Sequence, residues 1–481
     1  MSYSTTYSRE TAPKLGAVFN SIDVFSGEGK EIEERRFTAL FEEMKREGVI
    51  HEDSILIPRI FGRHEALSAA DRFAAETVDV ILICNSAFPN GHVFPTIGLH
   101  PHLRQIPLII TADAETELGD REWTTNAWCG VIMNNYLAKQ LGRHIRPLAG
   151  NPESEEYRDE LKMLMNSYRA VAMLRRGYLG RFGDAPGGFH SATADQAAFL
   201  RTFGIAMDTI DLLGVMETYD SGSAKGWLGA RSFTKTDVDA TISEMKAGRE
   251  CVITDEELRK AARLYHAFKA QIEANGFTAA AVKCWPEIGI TTCFPMTWLL
   301  TKGIVNAVAC ESDCPTAVMQ SLASLLSGKP AACLDFVNYT GRCSCVELGH
   351  CGVGIAGQMG EGECITYKSP DRQAGSAAGP ALIGQFAYGA KTGLAITPKP
   401  DGGFKVLCFT GENTPASNRQ KLYSAADVIV DQYKRLDKMI LNHGFPHHLA
   451  VAMNDITREV AEVCDFLGVE YLNPAEGVLG V

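Results

Sequence analysis

Uniformly apolar runs alternate with amphipathic stretches over the first third of the chain. Leu15-Gly16-Ala17-Val18-Phe19 reads as a short buried strand, residues 31–47 have helical composition and spacing, and residues 78–84 and 106–110 read as two further strands. Runs that are apolar at nearly every position belong to strands covered on both faces, and helical segments between them predict a parallel sheet. Ligands of such sheets lie beyond the carboxyl ends of the strands. Cys84-Asn85-Ser86 and Thr111-Ala112-Asp113 fall there, with loop and helix-cap chemistry as the plainer account. A second α/β unit begins near residue 171. Residues 171–174 read as a strand, 177–189 as a turn-rich loop, 195–203 and 255–275 as helices, and 210–215 and 279–283 as strands. Beyond Lys329-Pro330 glycines become frequent and helices sparse until residues 422–442, with short strands at 394–397 and 404–409. The predicted fold class is α/β: two doubly wound parallel-sheet domains, 1–170 and 171–330, followed by a β-rich C-terminal domain, 331–481.

Length agrees with this division, since 481 residues at roughly 150 per domain give about three domains. Apolar residues make up 46% and charged residues 22%, which is ordinary for a globular chain. A formal net charge of −12 argues against nucleic-acid binding, which needs a basic stripe. No apolar run approaches the ~20 residues of a membrane span. Met1-Ser2-Tyr3-Ser4-Thr5-Thr6 has neither a basic nor an apolar segment of a signal peptide. A cytoplasmic protein with its fourteen cysteines as reduced thiols is therefore expected.

Ligands for a hard divalent metal stand in three separated segments: Cys284-Trp285-Pro286-Glu287, Cys310-Glu311-Ser312-Asp313 and Pro446-His447-His448. His350, in Leu348-Gly349-His350-Cys351-Gly352, is a fourth candidate. A carboxylate–carboxylate–imidazole set holds Mn²⁺ or a similar ion against a substrate's oxygens. Each member also has a plainer reading. Glu287 follows a strand and a proline and would serve equally as a surface residue. Ser312 or Asp313 would cap the helix expected from about Pro315 to Leu326. The histidine pair would serve as loop polarity, and adjacent side chains on an extended segment point opposite ways, so at most one should reach a given metal. Gly352-Val353-Gly354-Ile355-Ala356-Gly357 matches a dinucleotide fingerprint, but Gln358-Met359-Gly360-Glu361-Gly362-Glu363 makes a poor helix, and a helix N-terminus is needed to hold the pyrophosphate. No cofactor-binding residues are therefore assigned. Cys343-Ser344-Cys345 with His350-Cys351 has the wrong spacing for structural zinc.

These segments resemble the L-fucose isomerase/L-arabinose isomerase superfamily over most of the chain. Arg181-Phe182-Gly183-Asp184 with Phe203-Gly204-Ile205 is similar to the entry into that family's middle domain. Cys310-Glu311-Ser312-Asp313 is similar to its acidic motif, and Pro446-His447-His448 to its late metal-histidine motif, with His448 in the ligand's place. The resemblance implies two α/β domains and a β-rich domain, a homo-oligomer, a monosaccharide substrate, and Mn²⁺-dependent interconversion of aldose and ketose. It departs at His350, which matches a ligand of the arabinose enzymes and not of the fucose enzymes.

Moving hydrogen between C1 and C2 of a sugar passes through a cis-enediol whose anion a divalent ion stabilises, while two carboxylates relay protons. On this reading Glu287 and Asp313 are catalytic, and Glu287, Asp313 and His448 bind the metal. Glu311, His350 and His447 serve substrate or support the ligands, with Glu311 and His350 as alternative ligands and Glu311 competing with Asp313 for the second acid's role. The alternatives are a related metal enzyme for an acidic or sulfonated sugar, which needs a cation such as Arg181, Lys283 or Arg342, and a non-catalytic sugar-binding protein.

Overall fold

The computed structural model describes residues 11–22, 24, 27–115, 125–286, 288, 292–338, 345–360, 363–367, 379–414 and 423–478. The chain divides into two compact units, Tyr7–Ala172 and Met173–Val481.

In the first unit β1 (Leu15–Asn20), β2 (Ile55–Ile60), β3 (Val80–Asn85), β4 (Leu108–Ala112) and β5 (Arg146–Ala149) form a parallel sheet of order β2-β1-β3-β4-β5. β1, β3 and β4 are buried at every position, as their unbroken apolar runs require. Helices Gly27–Glu47, Arg63–Ala75 and Ala127–Gln140 connect them. Residues 171–174, expected as a strand, form the end of the helix Glu155–Arg175. Four apolar residues do not distinguish a strand from the last buried turn of an amphipathic helix.

The second unit opens with β6 (Tyr178–Phe182) and β7 (Ala206–Ile210), then a small hairpin of β8 (Ser223–Gly226) and β9 (Gly229–Ser232), and the short β10 (Glu250–Cys251). β11 (Ala279–Val282) and β12 (Val308–Cys310) complete a four-stranded parallel sheet, β12-β11-β6-β7. The expected strand at 210–215 splits here. β7 ends at Ile210, and the Asp211 side chain accepts the Leu213 N–H to cap the helix Leu212–Ser221.

The rest is β-rich: β13 (Ala332–Asn338), β14 (Cys345–His350), β15 (Cys364–Tyr367), β16 (Pro380–Ile383), β17 (Gly389–Pro398), β18 (Phe404–Asn413), β19 (Ser424–Ile429), β20 (His448–Ala452), β21 (Glu470–Asn473) and β22 (Gly477–Val478). β17-β20-β13-β14-β19-β18 pair in that order, and β18 pairs back with β17, closing an antiparallel barrel. Closure leaves the barrel strands without open edges. The helix Cys314–Ser327 is buried almost end to end between β20 and β17 on one side and β11 and β12 on the other. Polar members find partners inside: Gln320 Nε2 donates to Ala331 O at 2.7 Å, and Ser321 to Asn306 Oδ1 at 2.8 Å, while Gln320 Oε1 has no well-aligned donor. Among the described residues no helix is long and apolar enough to cross a membrane.

The glycine-rich segment after β14 opens no helix. Cys345 is disulfide-bonded, against the expectation of thiols throughout, while the twelve other described cysteines form no disulfide.

Candidate active site

The parallel sheet and the barrel meet where β12 ends. Glu311 and Ser312 follow Cys310 with φ of 59° and 56°, a left-handed conformation that costs a non-glycine residue about 1–3 kcal/mol. Hydrogen bonds hold the turn. Ser312 N–H donates to Val282 O at 3.1 Å, and its hydroxyl reaches Gly183 O at 3.0 Å and Phe182 O at 3.2 Å. The turn thereby projects Glu311 beyond the carboxyl edge of the sheet, the usual place for chemistry in such sheets.

Asp313 is fully buried and caps the helix Cys314–Ser327, accepting Thr316 N–H at 2.8 Å and the Thr316 hydroxyl at 2.8 Å. Its Oδ2 also lies 2.8 Å from His448 Nδ1. An ionised carboxylate only accepts, so Nδ1 carries the proton and the Nε2 lone pair of neutral His448 points the other way. It faces Glu311 Oε2 at 3.2 Å and Asp335 Oδ1 at 3.3 Å.

Asp335 lies on β13 opposite His448 on β20 and Gly349 on β14. His350, at the end of β14, is buried, and its Nε2 is 3.8 Å from Asp335 Oδ1. Its Nδ1 accepts Cys351 N–H at 2.8 Å, so the proton of its neutral form sits on Nε2, toward the acids. Gly349 must be glycine there, because a Cβ would stand 2.3 Å from the Tyr423 ring.

Three of the atoms facing this centre, Glu311 Oε2, Asp335 Oδ1 and His350 Nε2, are buried without a well-aligned hydrogen bond. The potential ligand atoms of Glu311, His350 and His448 lie within 4.8 Å of one another, as do those of Asp335, His447 and His448. Two buried carboxylate oxygens without well-aligned donors, Glu311 Oε2 and Asp335 Oδ1, beside His448 Nε2 fit a divalent cation.

The charges agree. Burial pushes the Glu311 carboxyl up, but His448 and the Trp285 Nε1–H, 2.8 Å from Oε1, outweigh it and hold the group below its usual range. Burial lowers His448, yet Asp313 and Glu311 outweigh burial and lift it well above the ordinary histidine value. Burial likewise lowers His350, but Asp335 and Cys351 raise it to about 9. The carboxylates thus favour positive charge at this spot, which a protonated imidazole or a cation held at His448 Nε2 would supply. His447 behaves oppositely, lowered by burial and by the neighbouring His448.

Of the residues singled out in the sequence, Glu311, Asp313, His350, His447 and His448 come together. Glu287 lies outside the described residues. The two histidines are not on opposite faces: their rings are 4.2 Å apart, because β20 begins at His448 and strand alternation does not extend to His447. His447 instead meets Phe189 at 5.9 Å, and Phe189 meets Trp285 at 5.3 Å, so aromatic rings flank the acids. Sequence reasoning missed Asp335. Its signal was available, a single carboxylate inside the apolar run 331–337, where a charge needs a partner. A cavity of about 700 Å³, lined by residues including Phe199, Lys399 and Pro446, opens nearby, but neither the acids nor His448 line it.

No protein-family model matches the chain. The chain is similar to proteins named sulfoquinovose isomerase. That of Alkalicoccus urumqiensis is 23% identical over 373 residues, covering 74% of this chain and 78% of that protein. That of Priestia megaterium is 23% identical over 420 residues, covering 83% and 86%, and that of Clostridium sp. (strain MSTE9) 22% over 401 residues, covering 81% and 85%. Among solved structures, an ABC-transporter solute-binding protein from Burkholderia multivorans is similar at 11% identity and a TM-score of 0.18, covering 66% of this chain and 95% of that one, a superposition too weak to bear on fold or function. The similarity that spans most of the chain is thus to sugar isomerases.

Proposed function

We propose that the chain is a divalent-metal-dependent aldose–ketose isomerase acting on a monosaccharide, with Mn²⁺ as the expected ion. The observation that carries this reading is the convergence of Glu311 Oε2, Asp335 Oδ1 and His448 Nε2, with two of the three atoms buried and lacking hydrogen bonds. Glu311, Asp335 and His448 are the proposed ligands. When bound, the ion supplies positive charge that stabilises an enediolate.

The chain's own groups do the rest. Asp313 fixes the His448 tautomer, so that its lone pair faces the acids. This gives Asp313 a positioning role and passes the acid–base work to Glu311 and Asp335. The Trp285 indole keeps Glu311 ionised and able to accept a carbon-bound proton. His350 presents an N–H toward Asp335 and the substrate oxygens, which makes it a donor in place of a ligand. Phe189, Trp285 and His447 restrict water at one side.

A second reading concerns the substrate. The names of the relatives favour a sulfonated sugar, which needs a cation in reach. Arg181, at the carboxyl end of β6, pairs with Asp184 and keeps a buried Nε without a partner, a donor suited to a sulfonate. An exposed stripe of Trp128, Ile132 and Tyr136 on the helix Ala127–Gln140 is a face that a second copy of the chain would cover in a homo-oligomer.

The test is proton exchange at C2. Metal-stripped protein is incubated in D₂O with neutral and sulfonated aldoses, with and without Mn²⁺, and followed by NMR. Mn²⁺-dependent loss of the C2 proton signal with ketose formation is expected. Full exchange without metal, or none with any aldose, defeats the reading.

A further inference from the structure

Four cysteines crowd against the acid–histidine set, and the proposed chemistry uses none of them. Cys284 follows β11, Cys310 ends β12, Cys293 opens the helix Cys293–Thr301, and Cys351 follows β14. Cys310 Sγ is 3.3 Å from Cys284 Sγ. Cys310 also interacts with the thiols of Cys293 and Cys351, which interact with each other. Cys351 Sγ in turn lies 3.1 Å from His350 Nδ1. Buried structural thiols act as small hydrophobes and need no sulfur neighbours; here four converge from four elements. Cys284, Cys293 and Cys310 are buried, whereas Cys351 is of intermediate exposure and the least covered residue of the four.

We propose that this cluster is an oxidative modification site, in which a peroxide enters at Cys351 and a Cys284–Cys310 disulfide results that switches off the adjoining site. The Cys351 sulfur attacks a peroxide oxygen, the O–O bond breaks, and sulfenic acid forms as the thiol proton leaves with the departing oxygen as water. The Cys310 sulfur displaces the sulfenic hydroxyl as a second water, giving a Cys310–Cys351 disulfide. Cys284 then attacks the Cys310 sulfur, and its proton passes to Cys351, which is released as a thiol. In sum two thiols lose two electrons and two protons, and one hydrogen peroxide becomes two waters.

The consequence for the site follows from connectivity. Joining the sulfurs shortens 3.3 Å to about 2.05 Å. The joined residues immediately precede Trp285 and Glu311, which are hydrogen-bonded to each other. Drawing Cys310 toward Cys284 shifts the positive-φ turn that aims Glu311 at His448 and Asp335. This regulatory effect rests on the isomerase reading; the modification itself does not.

The experiment treats the full-length protein with stoichiometric hydrogen peroxide and follows two readouts, a non-reducing peptide mass map and the isomerase rate. The expected result is a Cys284–Cys310 linkage that grows in step with a rate loss of tenfold or more, both reversed by dithiothreitol. Cys284→Ser should keep its initial rate, form no disulfide at position 284 and stop at the Cys310–Cys351 linkage, and Cys129→Ser, at an exposed position, should respond as the unaltered chain. If the Cys284 variant does not fold, Cys351→Ala provides the second check, since closing the entry should slow formation of the linkage at least tenfold. Linkages only elsewhere, a stoichiometric zinc ion protecting the four thiols, or an unchanged rate in linked protein would overturn the proposal. If the protein isomerises no sugar, the mass map still decides the modification, so the two readings fail separately.

Discussion

Glu33 is buried and Glu311 half-buried, each beyond the carboxyl ends of parallel strands in its own unit, yet their surroundings drive them in opposite directions. Glu33 is 1% exposed and neither carboxyl oxygen has a well-aligned hydrogen bond. Burial, reinforced by Asp113 and Glu115, lifts its carboxyl to about 9. The cation at hand, Arg36, is engaged by Asp113 at 3.1 Å and Glu153 at 3.2 Å. Glu311 is half-buried, and burial raises it too, but His448 and an indole N–H outweigh that and favour its ionised form. Burial by itself neutralises an acid. A site that binds a cation or carries protons must bracket its acids with donors, as the second unit does around Glu311 and the first does not around Glu33.

The strongest way to break that contrast is to remove the charge where it is held. Glu311→Gln and Asp335→Asn should fold, by circular dichroism, yet lose turnover by about 10³-fold or more, since an amide neither ligates as a carboxylate nor carries a proton. Near-normal rates in either variant would return the proton relay to Asp313. Asp313→Asn should act through the imidazole it orients, lowering Mn²⁺ affinity by roughly 10–100-fold, with excess Mn²⁺ restoring most of the rate. A loss that saturating metal does not rescue would make Asp313 a proton carrier after all.

Trp285→Phe sharpens the comparison by moving Glu311 toward the condition of Glu33. The depressed carboxyl contributes stability above its ordinary value and loses it as pH falls through the depressed one. Removing the indole N–H shifts that loss, and the acid limb of kcat/KM, to higher pH. An unmoved acid limb would mean that the indole does not hold the charge.

Glu33→Gln should have the smallest effect on turnover, namely none, and reads out in stability. The folded chain keeps a proton that the unfolded chain releases near 4.5, up to a folded value of about 9. The group's contribution therefore declines as pH rises between those values, by up to about 1.4 kcal/mol per unit. Urea unfolding at pH 5, 7 and 8.5 should show a shallower decline in the glutamine variant. Equal slopes in both proteins would mean that Glu33 is ionised in the folded state.

Much of this architecture was legible in the order of residues. β1, β3, β4 and β11 are apolar without interruption and admit little except a sheet covered on both faces. The helix Cys314–Ser327 announced itself through Pro315 and a cap at Ser312 or Asp313; the structure gives the cap to Asp313 and a left-handed stop to Gly328. Among the stretches misread, 171–174 and 210–215 are short apolar runs whose period was too brief to distinguish helix from strand, while 177–189, read as a loop, holds β6, and 422–442, read as helical, holds β19 ahead of the helix Tyr433–His443.

The chemistry was legible as a set of residue types, and the sequence by itself narrowed it to two acids and a histidine in the second half of the chain. It did not reveal which acids. Glu311 and Asp313 stand two residues apart, and only the positive-φ turn sends one toward His448 Nε2 while the other caps a helix and holds Nδ1. Asp335 entered through barrel pairing, which sets β13 beside β20 and β14 and brings a residue 113 positions from His448 to within 3.3 Å of it. Local sequence sets local backbone preference and the apolar period. Which carboxylates share a cation depends on strand partners far apart in the chain, and those are chosen by the packing of the whole unit.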